Sequence, residues 1–179
     1  SPVSQSHFVM HFNTLGYDSM LVATAYGFCG LALLCSKIGF GILSKVMKFH
    51  VLSVIFLLFY TVSLTGAFLN QSMGLIPWMP FAICIVFGIA GAVCSLGYPN
   101  WVADFSTRED YPVRVKNAQS AYQIGEIVAS FIPGIILDTT GTYTPWFGFA
   151  ACISIVMIVI VLREYMGRKK TPAAEAEIA

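Results

Sequence analysis

Charge is what this sequence has least of. Only 11% of its 179 residues are Asp, Glu, Lys or Arg, against about 25% in a soluble domain. Residues 51–103 contain no charged side chain and no histidine, a run far beyond any core helix of a soluble protein. A net charge of +1 offers no basic surface, so no nucleic-acid partner is expected. There is no Gly-rich phosphate loop, so ATP-driven transport has no support in the chain. No basic segment with a cleavage site opens the chain, so a removable signal peptide is not indicated. The five cysteines, Cys29, Cys35, Cys84, Cys94 and Cys152, are odd in number and never spaced Cys-x-x-Cys. All lie in apolar runs and read as small core residues rather than metal ligands or disulfide partners. His7 and His11 stand four apart without a third ligand or a neighbouring Glu, so no metal and no cofactor is expected.

What is present is a membrane composition. Hydrophobic residues make up 57% of the chain and the mean hydropathy is +0.76. Five apolar runs, 20–43, 51–69, 76–98, 118–138 and 145–162, are each long enough to cross a ~30 Å hydrocarbon core as a helix. The reading is all-α, a polytopic membrane helix bundle. Residues 1–19 are short of a span; Phe8, Val9, Met10 and Phe12 read as the last turns of a membrane helix whose beginning is missing. The start at Ser1 without an initiator Met suggests a processed or truncated product. Residues 15–18, the polar segment 70–74 and the Thr- and Gly-rich segment 138–143 read as turns. Pro99 and the charged segment 104–116 close the third span. Residues 166–179 read as a tail, disordered at its end.

The basic residues give an orientation. Lys45, Lys48, Arg108, Arg114, Lys116, Arg163, Arg168, Lys169 and Lys170 all fall on one side of the alternating spans, while segments 1–19, 70–75 and 138–144 hold no Lys or Arg. By the positive-inside rule that side and the C-terminus are cytoplasmic. Trp78 and Trp146 then mark the outer interface, and Trp101 and Tyr165 the inner one. The expected location is the cell membrane, multi-pass.

Two charges lie inside spans. Glu126 sits in the run 118–138, where Gln119, Gln123, Glu126 and Ser130 share an arc of about 60° at 100° per residue. Lipid cannot solvate such a stripe, so it must face protein or a water-filled path. The bland alternative is a stripe that only ties helices together, each bond worth under about 1 kcal/mol. In the same run Pro133 cannot donate to the Ala129 carbonyl, and a kink is expected there. Lys37 is the single charge of the first span; Tyr26, Gly30, Lys37, Gly41 and Ser44 share one small or polar face. Its long stem can snorkel to the interface or it can hold a substrate or an ion-pair partner. Measured from Asn117 and Ser44, Glu126 and Lys37 lie at comparable depth, which would allow an acid–base pair. In the third span Cys84, Gly88, Ala92 and Ser95 form a small-residue seam suited to packing or sliding.

The segment Pro133-Gly-Ile-Ile-Leu-Asp138-Thr-Thr-Gly141-Thr-Tyr143 is similar to the Pro…Asp-x-Thr-Gly-Ser-Tyr ending of the eleventh helix of the major facilitator superfamily, with Thr142 in place of Ser. Lys37-Ile-Gly-Phe-Gly41 looks like the (Arg/Lys)-x-x-x-Gly segment that closes helix eight. The chain thus resembles the C-terminal half of such a transporter over residues 1–165, nearest to the branch of oxalate/formate antiporters and monocarboxylate porters. The resemblance implies a six-helix half with its first helix truncated, residues 20–165 being helices eight to twelve, and a missing N-terminal half. It implies that Lys37 helps bind an anionic substrate, with Tyr26 and Gln123 as further contacts. It assigns Gly41, Pro133, Asp138 and Gly141, beside Gly88 of the seam, to packing or gating. The superfamily's Gly-x-x-x-Asp-(Arg/Lys)-x-Gly loop survives here only at Gly41, with Lys45, Val46 and Lys48 at its other positions, so no charge relay is expected in it.

The function this reading implies is secondary transport of a small organic anion by alternating access, as symport or antiport, with Glu126 in proton coupling or an ion pair. The partners are the substrate, protons, the bilayer and the second half. A membrane-embedded enzyme would need a catalytic constellation that is not evident, so no enzyme is expected. A structural or assembly protein of the membrane would not need Glu126.

Overall fold

The computed structural model describes residues 2–167, which are helical almost throughout. Six helices follow one another: α1 (Pro2–Thr14), α2 (Ser19–Leu43), α3 (Phe49–Met73), α4 (Met79–Asp104), α5 (Tyr111–Thr140) and α6 (Thr144–Gly167). Helices α2 to α6 are long and apolar enough to cross a membrane, and they match the five apolar runs. The tail expected to be disordered lies, from residue 168 on, outside the described residues.

Several helices outrun their sequence signals, each for a local reason. Segment 70–74 becomes a turn only at Gly74; α3 continues to Met73. Asn70 is buried there because the Tyr17 hydroxyl donates to its Oδ1 at 3.0 Å, and the Ile76 N–H donates to the same hydroxyl at 3.2 Å. Pro99 does not close the third span, since α4 runs through it to Asp104. Beyond the proline, Trp101 Nε1 donates to Ser53 Oγ at 3.1 Å and the Tyr165 hydroxyl to Asp104 Oδ2 at 2.6 Å, so tertiary bonds hold the last turn. Helix α5 begins at Tyr111 with a proline in its first turn, where the missing N–H costs nothing. Arg114 and Lys116 therefore ride on a helix rather than in a loop. At the other end of α5, and in the turns at Gly16 and Gly74, the backbone takes φ between +72° and +95°, a conformation that glycine adopts without a Cβ clash.

The connections sort into two ends. Tyr17 ties the 15–18 turn to Asn70 and Ile76, and the rings of His7 and Tyr143 lie 5.7 Å apart; this end carries no Lys or Arg. At the other end Tyr165 meets His50 at 4.9 Å and Phe105 at 5.1 Å. Lys45, Lys48, Arg108, Arg114, Lys116 and Arg163 all belong to that second end. Each end has its own apolar cluster. Phe8, Phe12, Phe87, Trp146 and Phe147 build the one at the uncharged end, and Phe40, Leu52, Phe56, Val93 and Val161 the other. Trp146 is only 5% exposed, so it packs inside the bundle instead of standing in an aromatic belt; Trp78 is 63% exposed.

Helix α4 is the centre: α2, α3 and α5 all pack on it, α6 packs on α3, and α1 touches α2 and α5. Its small residues explain why. A Cβ on Gly88 would lie against the Cys29 carbonyl oxygen and 2.9 Å from Ala32 Cβ, and one on Gly91 would lie 2.7 Å from Leu33 Cδ1. The seam of Cys84, Gly88 and Ala92 is buried as expected, while its fourth member, Ser95, is exposed. The cysteines divide as well. Cys29 and Cys84 are buried core residues, but Cys35 and Cys152 are exposed, because in an apolar helix the lipid-facing side is as apolar as the packed one. Hydrogen bonds between helices support the packing: Ser36 to the Ile89 carbonyl, Ser63 to the Ile83 carbonyl at 3.0 Å, and Thr61 to Ser154 at 2.8 Å. Each adds under about 1 kcal/mol in a membrane; together they fix register more than they add stability.

Candidate functional site

Helix α5 is the least covered of the long helices, with Pro133 its only buried residue. Ile124, Ile127, Phe131 and Ile135 are each more than 60% exposed, so much of its surface is left uncovered by this chain. The polar stripe lies partly against the chain and partly free of it. Gln119 and Gln123 are exposed, while Glu126 and Ser130 are half-buried. Glu126 sits 15 residues after Tyr111 and 14 before Thr140, about 21–23 Å from either end at 1.5 Å per residue. That is the middle of the helix.

The Glu126 carboxylate is held by a neighbour. The Tyr122 hydroxyl donates to Glu126 Oε1 at 2.9 Å, from one turn earlier on the same face. The Tyr122 ring in turn stacks on Tyr98 of α4, with centroids 5.5 Å apart and planes 18° from parallel. An acid, its donor and an aromatic wall thus come together where α5 leans on α4. Ser130 turns back to the Ile127 carbonyl at 2.7 Å and takes no part in this group.

Lys37 is exposed on α2, and Tyr26 on the same helix is half-buried. The face they share is open within this chain: nothing lies within 4 Å of a Cβ built on Gly30 or Gly41. The face of α2 that packs is another one, carrying Val22, Ala25, Cys29, Ser36 and Phe40. Among the described residues, no ion pair joins Lys37 to Glu126. Helix α5 starts at Tyr111 rather than near Asn117; along their helices Lys37 lies about 9 Å from the last residue of α2 and Glu126 about 22 Å from the first residue of α5, at 1.5 Å per residue.

The remaining candidates from the sequence fall into separate places. Gly88 is buried in the α2–α4 crossing. Gly41 is open, and its carbonyl accepts from the Ser44 hydroxyl at 3.0 Å. Pro133 is buried inside α5, which runs unbroken through it, and Asp138 is exposed. Gly141 ends α5 in the left-handed region at φ 72°, its N–H donating to the Leu137 carbonyl at 2.8 Å. Thr139 and Thr140 satisfy the carbonyls of Ile135 and Ile136, which accounts for the Thr-Thr-Gly pattern as a helix ending.

Neither Tyr98 nor Tyr122 stands out in the sequence reading. Tyr122 has a signal there, a tyrosine four residues before an intramembrane acid. Tyr98 has none, because stacking between helices leaves no trace in spacing. A separate cavity of about 60 Å³ at the uncharged end, lined by Tyr17, Asn70, Gln71 and Gly74 among others, holds room for a water or two; none of its walls belongs to α5. Comparison of the chain with family models, curated proteins and solved structures finds no match.

Proposed function

We propose that this chain is one bundle of a secondary transporter that moves a small organic anion by alternating access against a second bundle. The observation that carries the reading is Glu126: an acid at mid-helix on the least covered helix, hydrogen-bonded by Tyr122. An ionisable group at that depth is costly, and such groups mark substrate or proton routes. Support also comes from Lys37 on an open face of α2, the sole cation within the five apolar runs. The resemblance of residues 133–143 and 37–41 to major facilitator endings supports reading the chain as the C-terminal half of that fold, with Glu126 coupling protons or a counter-substrate. Such transporters rock two bundles around a site near the midplane.

The test is flux of radiolabelled oxalate, formate and lactate into liposomes holding the intact protein, with and without an opposing pH gradient. Substrate-dependent uptake of at least one is expected. Lys37→Ala should weaken apparent affinity by roughly ten- to a hundredfold, the worth of a lost charge-assisted bond, with the maximal rate less affected. No flux of any of the three, or full affinity in Lys37→Ala, counts against the reading.

Orientation has its own test. With the charged end cytoplasmic, Ser72→Cys and Thr139→Cys should react with an impermeant thiol reagent on whole cells. Lys48→Cys and Arg114→Cys should react only after permeabilisation. All four native positions are exposed, so access is set by the membrane and not by packing. Labelling of Lys48→Cys from outside would reverse the orientation.

A further inference from the structure

Midway along α5, Glu126 and Tyr122 are bonded to each other, and the Tyr122 ring is their link to α4. From this arrangement we infer that Tyr122 is the positioning residue of Glu126 and that Tyr98 holds Tyr122 in place, so the acid's geometry is set by the α4–α5 contact. The inference rests on the reading of Glu126 as the working acid of the translocation path.

Apart from Pro133, α5 has no buried side chain, so packing does little to fix the rotamers of its long residues. A glutamate on such a helix has three free torsions and several ways to turn. One hydroxyl at 2.9 Å selects among them. A tyrosine hydroxyl can do this only if its ring is itself fixed, and the ring has two torsions to lose. Tyr98 supplies the fixing surface, stacked at 5.5 Å and 18°. Offset aromatic pairs of this kind are favoured beyond the area they bury. Tyr98 is itself on an anchored stretch of α4, because Trp101, three residues on, is bonded to Ser53 of α3. The chain of constraint therefore runs from α3 through α4 to Tyr98, Tyr122 and the carboxylate.

The same chain dictates what happens when α5 moves. A shift of α5 along α4 by a fraction of a turn slides Tyr122 off Tyr98. Tyr122 and Glu126 travel together on α5, but the ring is no longer pinned, so its bond to Glu126 competes with substrate or solvent. The acid is held in one packing of the two helices and loosened in the other, without any group being added or lost.

Infrared difference spectroscopy of the intact protein in lipid nanodiscs, titrated with acid, reads the carboxyl group directly. Bands lost in Glu126→Gln identify Glu126. In Tyr122→Phe, which keeps the stack and removes the donor, the Glu126 carbonyl band should move to higher wavenumber. Tyr98→Phe should leave it in place, since the ring remains. Tyr98→Leu, which keeps the Tyr122 hydroxyl but removes its wall, should broaden the band. An unmoved band in Tyr122→Phe overturns the positioning role, and an unchanged band in Tyr98→Leu overturns the part given to Tyr98. Both results are independent of transport: if Glu126→Gln transports like the wild type, the functional reading fails while the spectra still decide the geometry.

Discussion

Glu126→Gln is expected to abolish gradient-driven accumulation of the transported anion while exchange of labelled for unlabelled substrate continues. Glutamine keeps the side-chain length and an oxygen that can accept from the Tyr122 hydroxyl, now bonded to Glu126 at 2.9 Å. The stack on Tyr98 has no reason to change. What disappears is the ability to take up and release a proton at mid-helix. A pH gradient of one unit supports about tenfold accumulation per coupled proton, and the variant should reach no accumulation at all. Under the proposed function exchange should survive, because it would need the rocking of two bundles and the substrate contacts but no net proton movement. Both arms are measured in the same liposomes, so a folding defect would show as loss of exchange too. A variant that accumulates substrate with the wild-type pH profile reduces the α5 stripe to a packing device.

The long apolar runs that define the fold were the strongest signals in the sequence. Five apolar runs, each bounded by polar or basic residues, became α2 to α6, because hydropathy over a span is a sum of many small terms that local detail does not upset. Helix ends were less legible. Asn70 reads as a turn former, but buried against Tyr17 it is a helical residue. Pro99 reads as a stop, but bonds made beyond it by Trp101 and Asp104 keep the helix going. In both cases a long-range partner outweighs a local preference, about a kcal/mol at most residues and about 3 kcal/mol at proline.

The candidate site was legible to the same extent. Glu126 and its stripe stood out because a charge in an apolar run has no local excuse. The Tyr122 bond is a one-turn relation and was there to be read. Tyr98 was not, nor was the fact that α2 packs on α4 through Cys29 and Ser36 while Lys37 stays exposed. Which face of an almost wholly apolar helix is buried depends on shape, and small residues on two faces of α2 left the choice open until the neighbour was placed.

Shape at that crossing carries the largest expected effect on stability. Gly88→Ala should destabilise the bundle by about 1–3 kcal/mol, the usual range for overpacking, and Gly88→Leu should prevent its assembly. A Cβ at Gly88 meets backbone, the Cys29 carbonyl oxygen, and Ala32 Cβ at 2.9 Å; neither can swing aside, so α2 and α4 must part along their length. Gly91 is the informative contrast. Its Cβ would meet Leu33 Cδ1 at 2.7 Å, the far end of a flexible side chain, so Gly91→Ala should cost markedly less. Gly125 has open space around it, and Gly125→Ala should be neutral or, through helix propensity, stabilising by up to about 1 kcal/mol. Unfolding of the purified variants in graded denaturing detergent gives the order: Gly88 worst, Gly91 intermediate, Gly125 unharmed. Parting α2 from α4 would also move the helix that carries Tyr98. Gly88→Ala should therefore disturb the Glu126 infrared band although Gly88 lies about 15 Å from Tyr98 along the helix, at 1.5 Å per residue. Equal stability of Gly88→Ala and Gly125→Ala would mean that the crossing is not the close contact that these distances describe.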